Sequence, residues 1–256
     1  MPSGYSSGRS SIEREIAANS MRFYEDWLAD LVDNAKHLSK DKLHVESFAR
    51  LSALNGVISV VSASFDPESR KFLLEAQNDA VLSHVGATFG SWRLSLQSLR
   101  SFAENSLCAL YYVSHPIELK LWERGKYRIG FRDLAKFMSS HPDLEGYDCA
   151  VSSVNDLEKE YAELSKAVHG SAKTFRMTDS VSDILLWDRA NGKFGKWTTR
   201  QRNTISCVVV ILLALFDKSF QGAQHLEIRR SLNFVLSATK AKLVSDQIKI
   251  NIPKVR

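Results

Sequence analysis

The chain has 256 residues, 44% hydrophobic and 25% charged, with a formal net charge of +5. These values are typical of a soluble globular protein, and 5 prolines and 12 glycines argue against long disordered linkers and multi-turn β architectures. The mild positive charge permits a nucleic-acid partner without requiring one. Three widely spaced cysteines indicate a reducing, cytoplasmic location without a disulfide framework: Cys108, Cys149 and Cys207.

Helical periodicity begins near the N-terminus. Residues 1–10 lack the apolar core of a signal peptide and predict a flexible tail. Ser10 and Glu13 fit a capping box, which predicts a first helix from Ser10. A second helix is predicted over residues 42–63.

Asp66-Pro67 predicts the start of a third helix, because aspartate caps and proline occupies the first turn. Helical character then continues to about Val113, with a break or bend predicted near Gly86 and Gly90. Four further pieces are predicted in order: a short helix at 117–125, an extended segment at 126–131, a helix at 132–140 and a helix at 154–168.

The C-terminal part predicts an irregular insertion at 172–197, a buried helix at 198–218 and an amphipathic helix at 223–245. The apolar run at 205–216 is shorter than the roughly 20 residues of a membrane span, so we expect no membrane association. The fold class predicted is all-α: a single helical bundle over residues 11–247, followed by a basic tail at 248–256.

The predicted helix at 154–168 leads into a polar motif, EYAELSKAVHGS. Tyr161, Ser165 and His169 recur every four residues, so they share one side of a helix at the edge of an apolar stripe. Buried hydroxyls and imidazoles need hydrogen-bond partners. The motif therefore indicates either a catalytic histidine or a polar contact that joins helices.

A second polar motif, LRSFAENSLCALYY, lies on a helix with a wide apolar face. It contains Arg100, Glu104 and Asn105. Arg100 and Glu104 form either an exposed ion pair or a buried cluster with the helix that carries Tyr161.

These two motifs resemble sequence motifs of a known group of helical families. Arg-x-x-x-Glu-Asn, the YYVSHP helix end and Tyr-x-x-Leu-Ser-x-x-x-His-Gly-Ser resemble HEPN-like helical families, including uncharacterised bacterial proteins with a Tyr-x-x-Leu-Ser-x-x-x-His-x-Ser helix. The resemblance is carried by residues 90–171 and implies a HEPN-like core over about 66–218. It also implies a bundle that is often dimeric and is frequent in toxin–antitoxin, CRISPR-linked and phage-defence systems. Several members are metal-independent ribonucleases.

The sequence departs from the nuclease members at their catalytic motif, Arg-x(4–6)-His. The residues five, six and seven before His169 are Leu164, Glu163 and Ala162, and none of the other six histidines has the required arginine. Chemistry at His169 would therefore need Arg100 from another helix.

A third feature is the basic, aromatic stretch WERGKYRIGFRD. It predicts either a nucleic-acid contact surface or an ordinary basic loop, and its candidate contacts are Arg124, Lys126, Arg128 and Arg132. No phosphate-binding loop, His-Glu-x-x-His or Cys-x-x-Cys motif occurs, so we expect no metal and no cofactor.

Two hypotheses follow. The first is a non-enzymatic interaction or regulatory component of a bacterial defence or toxin–antitoxin complex, which binds a protein partner, with RNA as an additional candidate ligand. The alternative is a metal-independent ribonuclease toxin in which His169 is the acid/base and Arg100 clamps the phosphate. Glu104 is the third candidate catalytic residue, and Tyr161, Ser165 and Asn105 would support that site.

Overall fold

The structure is a computed structural model that describes residues 11–38, 40–148, 152–168 and 193–254. In those ranges it is all-α, as predicted, and contains no strand. Its α-helices are α1 (Ser11–Leu38), α2 (Lys42–Val61), α3 (Pro67–Thr88), α4 (Trp92–Ser114), α5 (Pro116–Glu123), α6 (Phe131–Ser139), α7 (Val154–Val168), α8 (Lys193–Leu215), α9 (Leu226–Ser231) and α10 (Ala238–Leu243). The chain divides into two compact units, residues 1–42 and 43–256.

The start of α3 confirms the predicted cap. The Asp66 carboxylate accepts hydrogen bonds from the backbone N–H groups of Glu68, at 3.0 Å, and Ser69, at 3.1 Å. Pro67 occupies the first turn, where its missing N–H costs nothing. Local side-chain chemistry alone therefore sets this helix boundary.

The break predicted near Gly86 and Gly90 lies between α3 and α4. Gly90 has a φ of 75°, in the left-handed region that glycine tolerates best. Gly86 stays inside α3, where an added Cβ would lie 2.8 Å from the Ser95 hydroxyl of α4. The two helices pack closely there, and the Ser83 hydroxyl donates to the Ser95 carbonyl at 2.7 Å.

Helix α8 forms the centre of the second unit. Its residues from Thr204 to Ala214 are all buried. None of the helices in the described ranges combines the length and apolar character that a membrane span needs. The helix begins at Lys193 rather than near 198, so the predicted irregular insertion was wrong at its C-terminal end. The reason is packing, since Phe194 and Trp197 join a second apolar cluster with Trp92.

The predicted helix at 223–245 was also wrong in its continuity, because the region contains α9, a 3₁₀ turn and α10. Asn233 donates a side-chain hydrogen bond to the Pro253 carbonyl, at 2.8 Å, and Ser237 caps α10 by accepting from the Lys240 N–H, at 3.2 Å. Within the segment predicted as a basic tail, Ile248 and Ile250 are buried in the core. Side-chain capping and burial interrupt what periodicity alone reads as one helix.

Candidate functional site

Helices α4 and α7 bring the two polar motifs of the sequence together. Arg100 Nε donates to the Ser165 hydroxyl at 3.2 Å, and Arg100 Nη2 donates to the Tyr161 hydroxyl. Glu104 Oε2 lies 3.4 Å from Arg100 Nη1 and accepts from the Tyr161 hydroxyl at 3.2 Å. We call these four residues the Arg100 cluster. Its arginine and glutamate make it close to neutral in charge.

The ring of Tyr161 is held by stacking as well as by hydrogen bonds. The Phe131 ring stacks on it with centroids 3.5 Å apart, and the Arg100 guanidinium carbon lies 4.7 Å from the Tyr161 centroid. Burial raises the pKa of Tyr161 to about 12, and the Glu104 charge contributes. The phenol is therefore protonated near neutral pH, and acts as a hydrogen-bond donor rather than as a base.

Of the two other residues predicted for this site, Asn105 and His169, the structure describes only Asn105. Asn105 points to α3 instead, where its amide donates to Asp79 Oδ2 at 2.8 Å. His169 lies outside the described residues, because α7 is described to Val168. At that end of α7, Arg93 Nη2 donates to the Val168 carbonyl at 3.1 Å. Arg93 is a second arginine on α4 that the sequence motif did not single out.

The four basic residues proposed for nucleic-acid contact are exposed, and they surround aromatic rings that are packed into the protein. Those basic residues are Arg124, Lys126, Arg128 and Arg132. The Tyr127 hydroxyl lies 2.9 Å from the Tyr111 hydroxyl, and Phe131 is only 8% exposed beneath Tyr161. These two rings stabilise the fold, so they are not available to stack on nucleic-acid bases. The four basic side chains stay available for phosphate contact, and the ring of Trp122, at the start of the segment, is 44% exposed.

A buried polar cluster at the junction of α2, α3 and α8 was missed by the sequence reasoning. Arg50 Nε donates to Gln201 Oε1 at 3.0 Å, and Gln201 Nε2 donates to the Ser47 carbonyl at 3.4 Å. The Ser47 hydroxyl lies 2.8 Å from His84 Nδ1. All four side chains are buried, and Arg50 Nη2 has no hydrogen-bond partner among the described residues.

Burial dominates the electrostatics of this second cluster. It lowers the pKa of His84 to about 4, and the neighbouring His44 and Arg50 act in the same direction. It also lowers the pKa of Arg50 to about 10, with help from the charge of Arg202. His84 is therefore neutral near pH 7 and is suited to a structural hydrogen bond.

An open cleft of about 340 Å³ lies between α7, α8 and the segment around α10. Lys240 Nζ in this cleft lies 3.8 Å from Asp156 Oδ2 and 3.8 Å from Cys207 Sγ. Burial raises the pKa of the Cys207 thiol to about 11, against the opposing effect of the Lys240 ammonium. A thiol with that pKa is a poor nucleophile at neutral pH, so the cleft offers no activated cysteine.

The described parts of the chain are all-α, and two polar clusters join helices there: the Arg100 cluster between α4 and α7, and the cluster of Ser47, Arg50, His84 and Gln201 between α2, α3 and α8. Within those parts, no group of three or more His, Cys, Asp or Glu side chains is placed to hold a metal ion. The chain matches no known protein family, no curated protein and no solved structure.

Proposed function

We propose that this chain is a non-enzymatic interaction or regulatory component that binds a protein partner, as in a cytoplasmic bacterial anti-phage defence or toxin–antitoxin complex. The observation that carries the proposal is the apolar surface of α1. Seven of its large apolar side chains are between 46% and 66% exposed: Ile12, Ile16, Met21, Phe23, Tyr24, Leu28 and Val32.

Exposure of this extent along one helix is unusual for a chain that functions alone. Single exposed apolar residues are ordinary, but contiguous patches larger than a few hundred Å² mark interaction sites. Tyr24, Leu28 and Val32 follow one another at four-residue spacing, so they form a continuous ridge on α1. Such a ridge suits an apolar groove or a helix of a partner protein.

The geometry of Arg100 weighs against the ribonuclease alternative. All three guanidinium nitrogens contact Glu104, Tyr161 or Ser165, and Glu104 already balances the charge. A phosphate at Arg100 would have to displace Glu104 and the Tyr161 hydroxyl. This alternative predicts toxicity on expression that is lost in both Arg100→Met and His169→Ala, and equal toxicity of the two variants and wild type would eliminate it.

The proposal is tested by purifying the tagged full chain from its source organism. A double variant, Tyr24→Glu with Leu28→Glu, places charge on the ridge of α1. The matched control is Phe234→Glu, because Phe234 is 47% exposed on a different helix turn. We expect wild type and the control to retain the same protein at stoichiometric amounts, and the double variant to lose it.

Two results would contradict the proposal. One is a wild-type protein that purifies alone as a monomer, as measured by light scattering. The other is equal retention of the partner by the double variant. Nuclease treatment of the wild-type complex, followed by absorbance measurement, tests whether RNA is a further ligand of the exposed basic segment.

A further inference from the structure

An open groove between α3, α4 and α5 combines aromatic walls with an acidic edge. Its volume is about 250 Å³. The Phe72 and Trp122 rings meet edge to face with centroids 4.8 Å apart, and Leu119, only 6% exposed, lies beside them. Trp122 itself is 44% exposed, so a large aromatic surface is open to a ligand.

The charges around the groove are mostly negative. Three of its lining residues are glutamates, Glu68, Glu75 and Glu123, and one is a lysine, Lys71. Lys71 is already paired with Glu68. The groove is therefore acidic on a chain whose net charge is +5.

A further carboxylate, that of Asp79, lies just behind this lining. Asn105, which lines the groove, donates to Asp79 Oδ2 at 2.8 Å. Burial raises the pKa of Asp79, and the charge of Glu75 acts in the same direction, while the hydrogen bond from Asn105 opposes them. Because Asn105 is fixed by Asp79, its amide oxygen is the part that can accept a hydrogen bond from a ligand.

The size of the groove restricts what can bind. Pockets for drug-sized molecules are roughly 300–1,000 Å³ and mostly enclosed, whereas this groove is smaller and open. It fits one or two side chains of a peptide. An arginine or lysine has an apolar stem that can lie on Trp122 and Leu119, and a cationic head that suits both an aromatic face and the nearby carboxylates.

We propose that the groove between α3 and α5 binds an arginine or lysine side chain, flanked by an apolar residue, from a peptide segment of a partner protein. This inference rests on the proposed function, since it names the chemistry of a segment that the partner presents. The charge complementarity between the acidic edge and a basic peptide is the feature that favours this occupant.

The test is selection of a random twelve-residue peptide library against the full chain. Enriched peptides are then measured by fluorescence anisotropy against three variants: Trp122→Ala, Trp122→Phe, and Glu75→Gln combined with Glu123→Gln. The matched control is Glu145→Gln combined with Glu227→Gln, which removes two exposed carboxylates elsewhere. Circular dichroism checks that every variant folds.

We expect enriched peptides to contain arginine or lysine next to an apolar residue. Loss of the two groove glutamates or of the Trp122 ring should weaken their binding about tenfold or more, whereas Trp122→Phe and the control should retain most of it. The charge-neutralising double variant keeps the apolar packing, so its result does not depend on how Trp122→Ala folds.

Three outcomes would overturn the inference: no enrichment of peptides, enrichment without basic residues, or equal binding by the groove variants and the control. A separate result would contradict the proposed function. If the wild-type chain retains a partner in its source organism and the groove variants retain it equally, the groove inference fails while the partner-binding function stands. If the chain has no partner at all, the function fails as well.

Discussion

Replacing Arg100 by methionine should destabilise the protein by about 2–3 kcal/mol. Methionine keeps the apolar stem but removes the contacts to Ser165, Tyr161 and Glu104. Each of these three contacts contributes about 0.5–0.7 kcal/mol after allowance for a side chain that is 30% exposed. The cation–π contact with Tyr161 adds about 0.5–1 kcal/mol.

The remaining polar groups limit the loss. The Tyr161 hydroxyl still donates to Glu104, and the Ser165 hydroxyl still donates to the Tyr161 carbonyl at 2.8 Å. No buried donor is orphaned, so the larger cost of an unsatisfied group does not arise. For a domain of this size, the expected fall in Tm is about 5–10 °C.

Urea unfolding and thermal unfolding measure this change. Arg230→Met is the matched control, because Arg230 Nη1 lies 2.6 Å from Glu227 Oε1 but the two side chains are 48% and 79% exposed. The control should change stability by less than about 0.5 kcal/mol. A double-mutant cycle with Tyr161→Phe should give a coupling energy of about 1 kcal/mol. Equal effects of Arg100→Met and Arg230→Met, or full additivity with Tyr161→Phe, would show that the Arg100 contacts do not stabilise the fold.

Three further predictions concern the interior. Gly86→Ala should lower the unfolding free energy, measured by urea titration, by about 1–3 kcal/mol, because its Cβ would lie 2.8 Å from a serine hydroxyl of α4. Gly56→Ala, whose Cβ would have its nearest contact at 3.4 Å, should be neutral or stabilising in the same titration. His84 binds its proton less readily when folded, with a pKa near 4, so stability should fall as pH drops from 6.5 towards 4. His84→Gln should flatten that dependence, and an unchanged slope would contradict the assignment. Burial raises the pKa of Cys108 and of Cys207, so peptide mass spectrometry after iodoacetamide treatment at pH 8 should find both unmodified until urea unfolds the chain.

The parts of the fold that could be read from sequence are those that depend on neighbouring residues. Asp66-Pro67 starts α3 because capping is a contact over two or three residues. The C-terminal region could not be read in this way. There, periodicity predicts one helix, but the chain forms α9, a 3₁₀ turn and α10, and Asn233 donates to the Pro253 carbonyl 20 residues away.

In the candidate sites, too, contacts between neighbouring residues could be predicted from the sequence, whereas contacts between distant helices could not. Four-residue spacing placed Tyr161 and Ser165 on one side of a helix, but their meeting with Arg100 depends on how two helices pack. Arg50 carried a usable signal, since it shares a helix face with the buried Leu54 and Val57. Its partner is 151 residues away, so one sequence predicts a buried arginine without identifying what it contacts.

The Arg100 cluster also has a consequence for the order of folding. Helices α3 and α4 are consecutive in the sequence and pack against each other, so their contacts can form early in folding. Arg100 meets Tyr161 only across 61 residues, after α5 and α6 have been placed. Contacts that form late have φ-values near zero. In stopped-flow kinetics, Arg100→Met should therefore act mainly on the unfolding rate, and the cluster slows unfolding of the folded protein without accelerating its formation.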